Sequence, residues 1–406
     1  VNPIAWAIPV FMATILAEAW LARRRGLDAY SAADAVTSLH YGILSQVAVA
    51  FTRLLSFGLY AVAWEQLRLF SLPADSLVVW VFALVFYDFC YYWAHRCGHE
   101  VNLLWAAHQV HHSSERYNLT TALRQTATGA FTAWPFYLPM AIVGVPPKVF
   151  AIVALVDLLY QYWVHTQLVG RLGPLERLLV TPSNHRVHHG QNDYCIDRNY
   201  GGILILWDRM FGSFADERDD EPVVYGIRSP VGSFDPVWGN LKGYRDIWRR
   251  GRAQRSPWRA LAVWFQSPST PLSEPGAASS RPALGSREPA DPALRRYALY
   301  QYALLVAPAT HFIATAVSLP MAQRLAYAAV LVSWAMSVGV LLDQRRGWRR
   351  LEAVRVMAVC ALALAAPGLF TPDVGLPAAL AFTALALPSL LWLRRRTCPA
   401  GRPAPT

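Results

Sequence analysis

Nine of the eleven histidines in this 406-residue chain fall in four short stretches. They are the pair His95 and His99, the triplet His108, His111 and His112, the single His165, and a second triplet, His185, His188 and His189. Imidazole is the side chain that binds transition metals as a neutral donor near physiological pH. Side chains at i and i+4, or at i, i+3 and i+4, share a helix face, so each clustered stretch predicts donors converging on one point. Nine nitrogens exceed what one ion takes, so the count predicts two metals. Zinc usually takes four ligands, often with cysteine. All-imidazole sites suit iron, copper, nickel or zinc, so ligand type leaves the metal open. Two irons with about four nitrogens each would use the count. Redox-active iron beside a bilayer would also have a purpose, because lipid C–H bonds react only with activated oxygen.

These donors need elements to hold them. The apolar run 76–94 leads directly into His95, and Asp88 lies seven residues earlier on the same helix face. A carboxylate there is expected to accept a hydrogen bond from the far nitrogen of a ligand imidazole, or else to pair with Arg96. His165 closes the run Tyr162-Trp163-Val164-His165-Thr166 and counts as a ligand on position alone. His40 sits inside an apolar run and reads as neutral and hydrogen-bonded, and His311 lies far from the other histidines. Both are left out of the set. Cys97 stands between His95 and His99, but a residue at i+2 points away from their face. The five cysteines form no CxxC pair and no disulfide framework.

The chain is 54% hydrophobic and only 16% charged, where soluble domains carry about a quarter charged residues. Together with the positive mean hydropathy of +0.25, this predicts an all-α, polytopic integral membrane protein. Candidate spans are 3–22, 36–62, 76–94, 127–143, 148–165, 296–318, 325–343, 352–370 and 375–394. The fourth and fifth are joined by Gly144-Val145-Pro146-Pro147, a turn suited to a hairpin that dips into the bilayer without fully crossing. The first span has Arg23–Arg25 after it and no basic segment before it. It therefore reads as a transmembrane helix with its N-terminus outside, not as a cleaved signal. Nine crossings put Arg23–Arg25, the segment 166–295 and the arginines at 345–350 and 394–396 on one side. Positive-inside makes that side cytoplasmic, and every histidine cluster lies there or at helix ends facing it. The expected location is a bacterial inner membrane. The net charge of +11 follows from this topology and is not read as nucleic-acid binding. Residues 266–292, rich in Pro, Ser, Gly and Ala, read as a linker. It separates a catalytic part (1–265) from a four-span bundle (293–406). Arginine mixed with tryptophan over 244–264 predicts a helix at the lipid headgroups, or a basic surface helix.

Longer strings accompany the histidines: YYWAHRCGHEVNLLWAAHQVHHSSERYNLTTALRQ, LLYQYWVHTQLVGRLGPLE, TPSNHRVHHGQNDYCIDRNYGGILILWDRMFGSF and LLDQRRGWRRLEAVR. On these the chain resembles the fatty acid hydroxylase/sterol desaturase superfamily of membrane di-metal oxygenases, and within it the glyceryl-ether monooxygenases. The resemblance implies two irons, O2 and tetrahydrobiopterin as reductant. It carries over His95, His99, His108, His111, His112, His185, His188 and His189 as ligands, adds weight to His165, and marks Glu115 of HHSSE as a catalytic candidate beside Asp88. Read by itself, Glu115 is a solvent-facing residue that caps the helix or pairs with Arg116. Asn184 stands where the family has a histidine, so that position is not an obligate ligand. The implied reaction is O2-dependent hydroxylation of a lipid C–H bond, at the O-alkyl carbon of an ether lipid, releasing a fatty aldehyde. A channel lined by Trp93, Trp105, Phe131 and Trp134 is expected to admit the lipid. The alternatives are a sterol, carotenoid or fatty acid hydroxylase or desaturase, and, in another class, a zinc hydrolase or a metal transporter. A transporter would string its ligands through mid-membrane, whereas these sit at helix ends. The expected partners are a membrane lipid, O2 and an electron donor. Neither the donor nor the oligomeric state is read from the sequence.

Overall fold

The computed structural model describes residues 3–269, 291–370 and 375–395. The chain begins with three long apolar helices, α1 (Pro3–Arg24), α2 (Ala32–Leu67) and α3 (Leu77–Glu100). At 36 residues, α2 is roughly 54 Å long, well beyond the hydrocarbon core of a bilayer. Its first turns are held inside the protein, where buried Asp34 pairs with Arg124. The helix α3 continues unbroken through His95 and His99 and ends at Val101, whose N–H bonds to the carbonyl of Cys97. The short α4 (Asn102–His112) and α5 (Leu119–Ala122) follow, the latter capped by Asn118.

The expected span at 127–143 does not form. The segment breaks into 3-10 turns at Gly129–Phe131 and Trp134–Tyr137 before α6 (Leu138–Val143), which is too short to cross. Pro135 and Pro139 each remove a backbone donor. Gly144 then turns the chain with φ at 110°, and a Cβ there would lie 2.0 Å from the Phe70 carbonyl oxygen. With α7 (Pro147–Trp163) this makes the anticipated hairpin, which packs Met140, Val145, Val149 and Val153 against Tyr60 of α2 and Tyr87 of α3.

Short helices build a cap over the histidines: α8 (Pro182–His188), α9 (Leu206–Phe211), α10 (Pro236–Arg252) and α11 (Pro257–Ala262). Ile247 of α10 and Val263 pack on Ala106 of α4, while Trp248 and Trp258 stay exposed. The linker lies mostly outside the described residues. Beyond it come α12 (Pro292–Thr315), α13 (Met321–Leu342), α14 (Trp348–Ala365), α15 (Pro367–Phe370), α16 (Gly375–Ala386) and α17 (Pro388–Arg394).

Among the described residues, α1, α2, α3, α13 and the α16–α17 stretch are long and apolar enough to cross a membrane. The protein is an integral membrane protein. Two expected spans, α12 and α14, have comparable length but carry buried polar groups. Glu352 and Arg355 of α14 pair with each other. Glu352 also accepts from Tyr297 and Ser337, each at 2.7 Å, and Arg355 donates to Gln301 of α12 at 2.7 Å. Helices from both sides of the linker share one apolar core, with Val36, Ile43 and Val47 of α2 packed among Leu305, Phe312, Leu331 and Trp334. Loop and bundle also meet at Gly339, where a Cβ would lie 2.5 Å from the Cα of Asp235. Asp235 caps α10 and takes an ion pair from Arg345.

Candidate metal centre

All nine predicted histidines come together, but not as each stretch alone implied. They form two neighbouring groups: His95, His99, His108, His112 and His188 in the first, and His111, His165, His185 and His189 in the second. Within each group the candidate ligand nitrogens lie within 4.8 Å of one another. Each HxxHH triplet is therefore split. The i, i+4 pair His108/His112 enters the first group and His111 the second. The pair His185/His189 enters the second and His188 the first. Residues three and four positions on from the same residue diverge by roughly 100° around the helix, which is enough to serve two adjacent points.

Backbone carbonyls set the rings. His95 Nδ1 meets the Tyr200 carbonyl at 2.8 Å, His111 Nδ1 that of Arg124 at 3.1 Å, His165 Nδ1 that of Gln161 at 2.7 Å, and His188 Nδ1 that of Arg198 at 2.9 Å. A carbonyl only accepts, so each Nδ1 carries the proton and each Nε2 presents a lone pair. His111 and His165 are both fixed in this way, yet their Nε2 atoms face each other at 3.2 Å. Two lone pairs so placed repel unless a cation lies beside them. Buried His99, His188 and His189 each have an Nε2 with no hydrogen-bond partner, a state that costs about 1–3 kcal/mol per group. The donor set therefore fits bound metal. Burial, followed by the facing imidazoles, holds His108, His112, His185 and His189 well below the usual imidazole range, as neutral ligands must be.

The acidic candidates do not enter either group. The expected bond from Asp88 to a ligand imidazole is not made, nor is a pair with Arg96, which binds Glu100 instead. Asp88 accepts from Ile203 N at 2.7 Å, Leu204 N at 3.0 Å and Trp207 Nε1 at 2.9 Å. It thereby pins the loop whose Tyr200 carbonyl orients His95. Glu115 is exposed, and its neighbour Arg116 pairs with Asp28. Asn184 closes a capping box with Thr181 at the start of α8, which agrees with its exclusion as a ligand. His40 departs from expectation: it is fully buried and neither ring nitrogen has a hydrogen-bond partner. His311 faces Tyr327, and Cys97 joins neither group.

Sequence reading missed Asp157. It is fully enclosed on α7, takes a hydrogen bond from Gln161, and lies close to Asp88 across Gly202. Its signal was present: an acid inside an apolar run eight residues before His165 parallels Asp88 before His95. The orienting carbonyls carried no signal, since every residue has one.

Two spaces reach the centre from different sides. A polar recess of about 530 Å³ touches His99, His112 and His188 of the first group, with Trp105, Asp197 and Arg228 on its walls. An apolar cavity of about 180 Å³ ends on His165 of the second group. Of the four aromatics expected along a lipid channel, Trp105 lines the polar recess and none lines the apolar cavity.

The fatty acid hydroxylase family profile matches residues 80–213, which hold all nine histidines. The chain is 39% identical to an alkylglycerol monooxygenase from Homo sapiens over 86% of this chain and 80% of that protein. An alkylglycerol monooxygenase from Danio rerio is 41% identical over 81% of this chain and 75% of its own length. A shorter match, 32% identical over 37% of this chain and 46% of the relative, is to an ornithine lipid hydroxylase from Rhizobium tropici. No solved structure matches the chain.

Proposed function

Because the chain belongs to the fatty acid hydroxylase family, alongside the alkylglycerol monooxygenases, we propose that it is a diiron monooxygenase acting on the O-alkyl carbon of an ether lipid. The observation that carries this is the pair of histidine groups, one of them at the end of an apolar cavity. When bound, two irons would supply O2 activation and removal of hydrogen from the carbon beside the ether oxygen. One oxygen atom enters the C–H bond. The other leaves as water, with two electrons and two protons from a donor. The resulting hemiacetal separates into a fatty aldehyde and a glycerol.

The protein's part is position and access. His95, His99, His108, His112 and His188 hold one ion, and His111, His165, His185 and His189 the other. The carbonyls of Tyr200, Arg124, Gln161 and Arg198 keep four of these rings in the metal-binding tautomer. Asp88 acts through the loop it pins, and Glu115 is a candidate for proton handling at the exposed edge of the cap. The apolar cavity takes the alkyl chain, and the polar recess takes water and the reductant, for which tetrahydrobiopterin is the first candidate. Positive residues after α1, in the cap and after α13 support a centre that faces the cytoplasm.

The test is metal analysis of anaerobically purified protein, followed by aldehyde release from an alkylglycerol with O2 and several reductants. Bound iron and aldehyde formation are expected. Zinc alone, with no activity restored by iron, would overturn the oxygenase. Oxidation of a sterol with no turnover of any ether lipid would overturn the substrate.

A further inference from the structure

The bundle beyond the linker carries no metal-binding signature among its described residues, yet it reaches the substrate side of the centre. Tyr302, Val306, Ala309, Thr310 and Ile313 of α12 all line the apolar cavity that ends on His165. Their spacing, i, i+4, i+7, i+8 and i+11, is that of a single helix face. The opposite walls come from α1, including Ile4, Ile8 and Met12, and from α7, including Leu155 and Leu159.

The contacts order this cavity by depth. Tyr162 of α7, three residues before His165, packs against Phe11 with tilted rings whose centroids are 4.4 Å apart. The Tyr302 hydroxyl reaches the sulfur of Met12 at 3.5 Å. Met12, Tyr162 and Tyr302 therefore mark the metal end. Moving away from it, α1 runs back to Ile4, α7 back to Leu155, and α12 forward to Ile313. From Tyr302 to Ile313 the α12 wall extends about 16 Å. The polar residues of the lining include Gln125 and Gln161 near the metal end, Ser45 and Gln46 on α2, and Thr310 on α12; the rest of the α1, α7 and α12 walls is mostly apolar.

We propose that α12 is the chain-length gauge of the enzyme: its cavity face sets how long an alkyl chain can lie with its first carbon at the second histidine group. This rests on the ether-lipid reading above and extends it to a part of the chain outside the matched family region. Ala309 is small and buried partway along the wall, so bulk added there would shorten the usable depth. Ile313 stands at the far end, so its truncation would lengthen it.

The experiment measures kcat/KM of the full-length, iron-loaded enzyme in lipid nanodiscs for alkylglycerols of graded chain length. For Ala309→Phe the ratio of long-chain to short-chain kcat/KM should fall at least tenfold. For Ile313→Ala it should move the opposite way. Iron content and melting temperature of each variant separate misfolding from selectivity. A uniform loss across all lengths in both variants would overturn the proposal. A second readout needs no turnover: an alkylglycerol with a diazirine at its chain end should label peptides bearing Thr310 or Ile313 on irradiation. Label found only outside α1, α7 and α12 would overturn it. If the wild type turns over no alkylglycerol but α12 is labelled, and free alkyl lipid competes, the substrate reading fails while the gauge stands.

Discussion

At the residue scale, the grouping makes the histidines unequal. Removing His185 leaves its group three donors, whereas removing His188 leaves four. His185→Ala should therefore lose more bound iron than His188→Ala, measured as metal per protein after dialysis. Equal loss would contradict the grouping. Acid should also act on the metal-free protein. Burial pushes the His111 imidazole down to about 4, while an unfolded chain's imidazole titrates near about 6.5. Between these values the unfolded state binds more protons, so stability is fully present above the window and falls as pH drops through it. Thermal melts of the metal-free protein from neutral to acid pH would show this. All nine ligand candidates were legible because histidine is rare and its spacing is periodic. Their division between two groups was not, because i+3 and i+4 look equivalent until the neighbouring helices are in place. The role of Asp88 was also hidden, since its partners Ile203, Leu204 and Trp207 lie more than a hundred residues away.

At the element scale, α8 is only seven residues long yet carries His185 and His188, with His189 as its C-cap, so its first turn matters. The Thr181 hydroxyl and the Asn184 side chain satisfy each other's backbone donors there. Thr181→Ala should cost about 1 kcal/mol, seen as a lower melting temperature and weaker iron retention against a chelator. The same cap explains why asparagine is useful at 184. The long helices were readable from hydropathy, including the hairpin turn at Gly144. The segment 127–143 was misjudged because its apolar composition outweighed its prolines, and composition does not register where a backbone donor is missing.

At the scale of the whole molecule, the sequence divides at the linker, while the packing joins α2 to α12, α13 and α14 in one core. The Glu352–Arg355 pair sits inside this assembly with almost no exposure. Glu352→Ala would strand a buried arginine at a cost of about 3–5 kcal/mol. A melting temperature lowered by several degrees in detergent is expected, with a smaller drop for Glu352→Gln. The interleaved triplets carry a consequence for how the enzyme is assembled. Since α4 and α8 each contribute histidines to both groups, a first ion bound there would fix the two helices that a second one needs. Loading should then be all-or-none, and half-filled protein should be scarce at any iron supply. A titration that finds empty and fully loaded molecules side by side would be the mark of two sites built as one object.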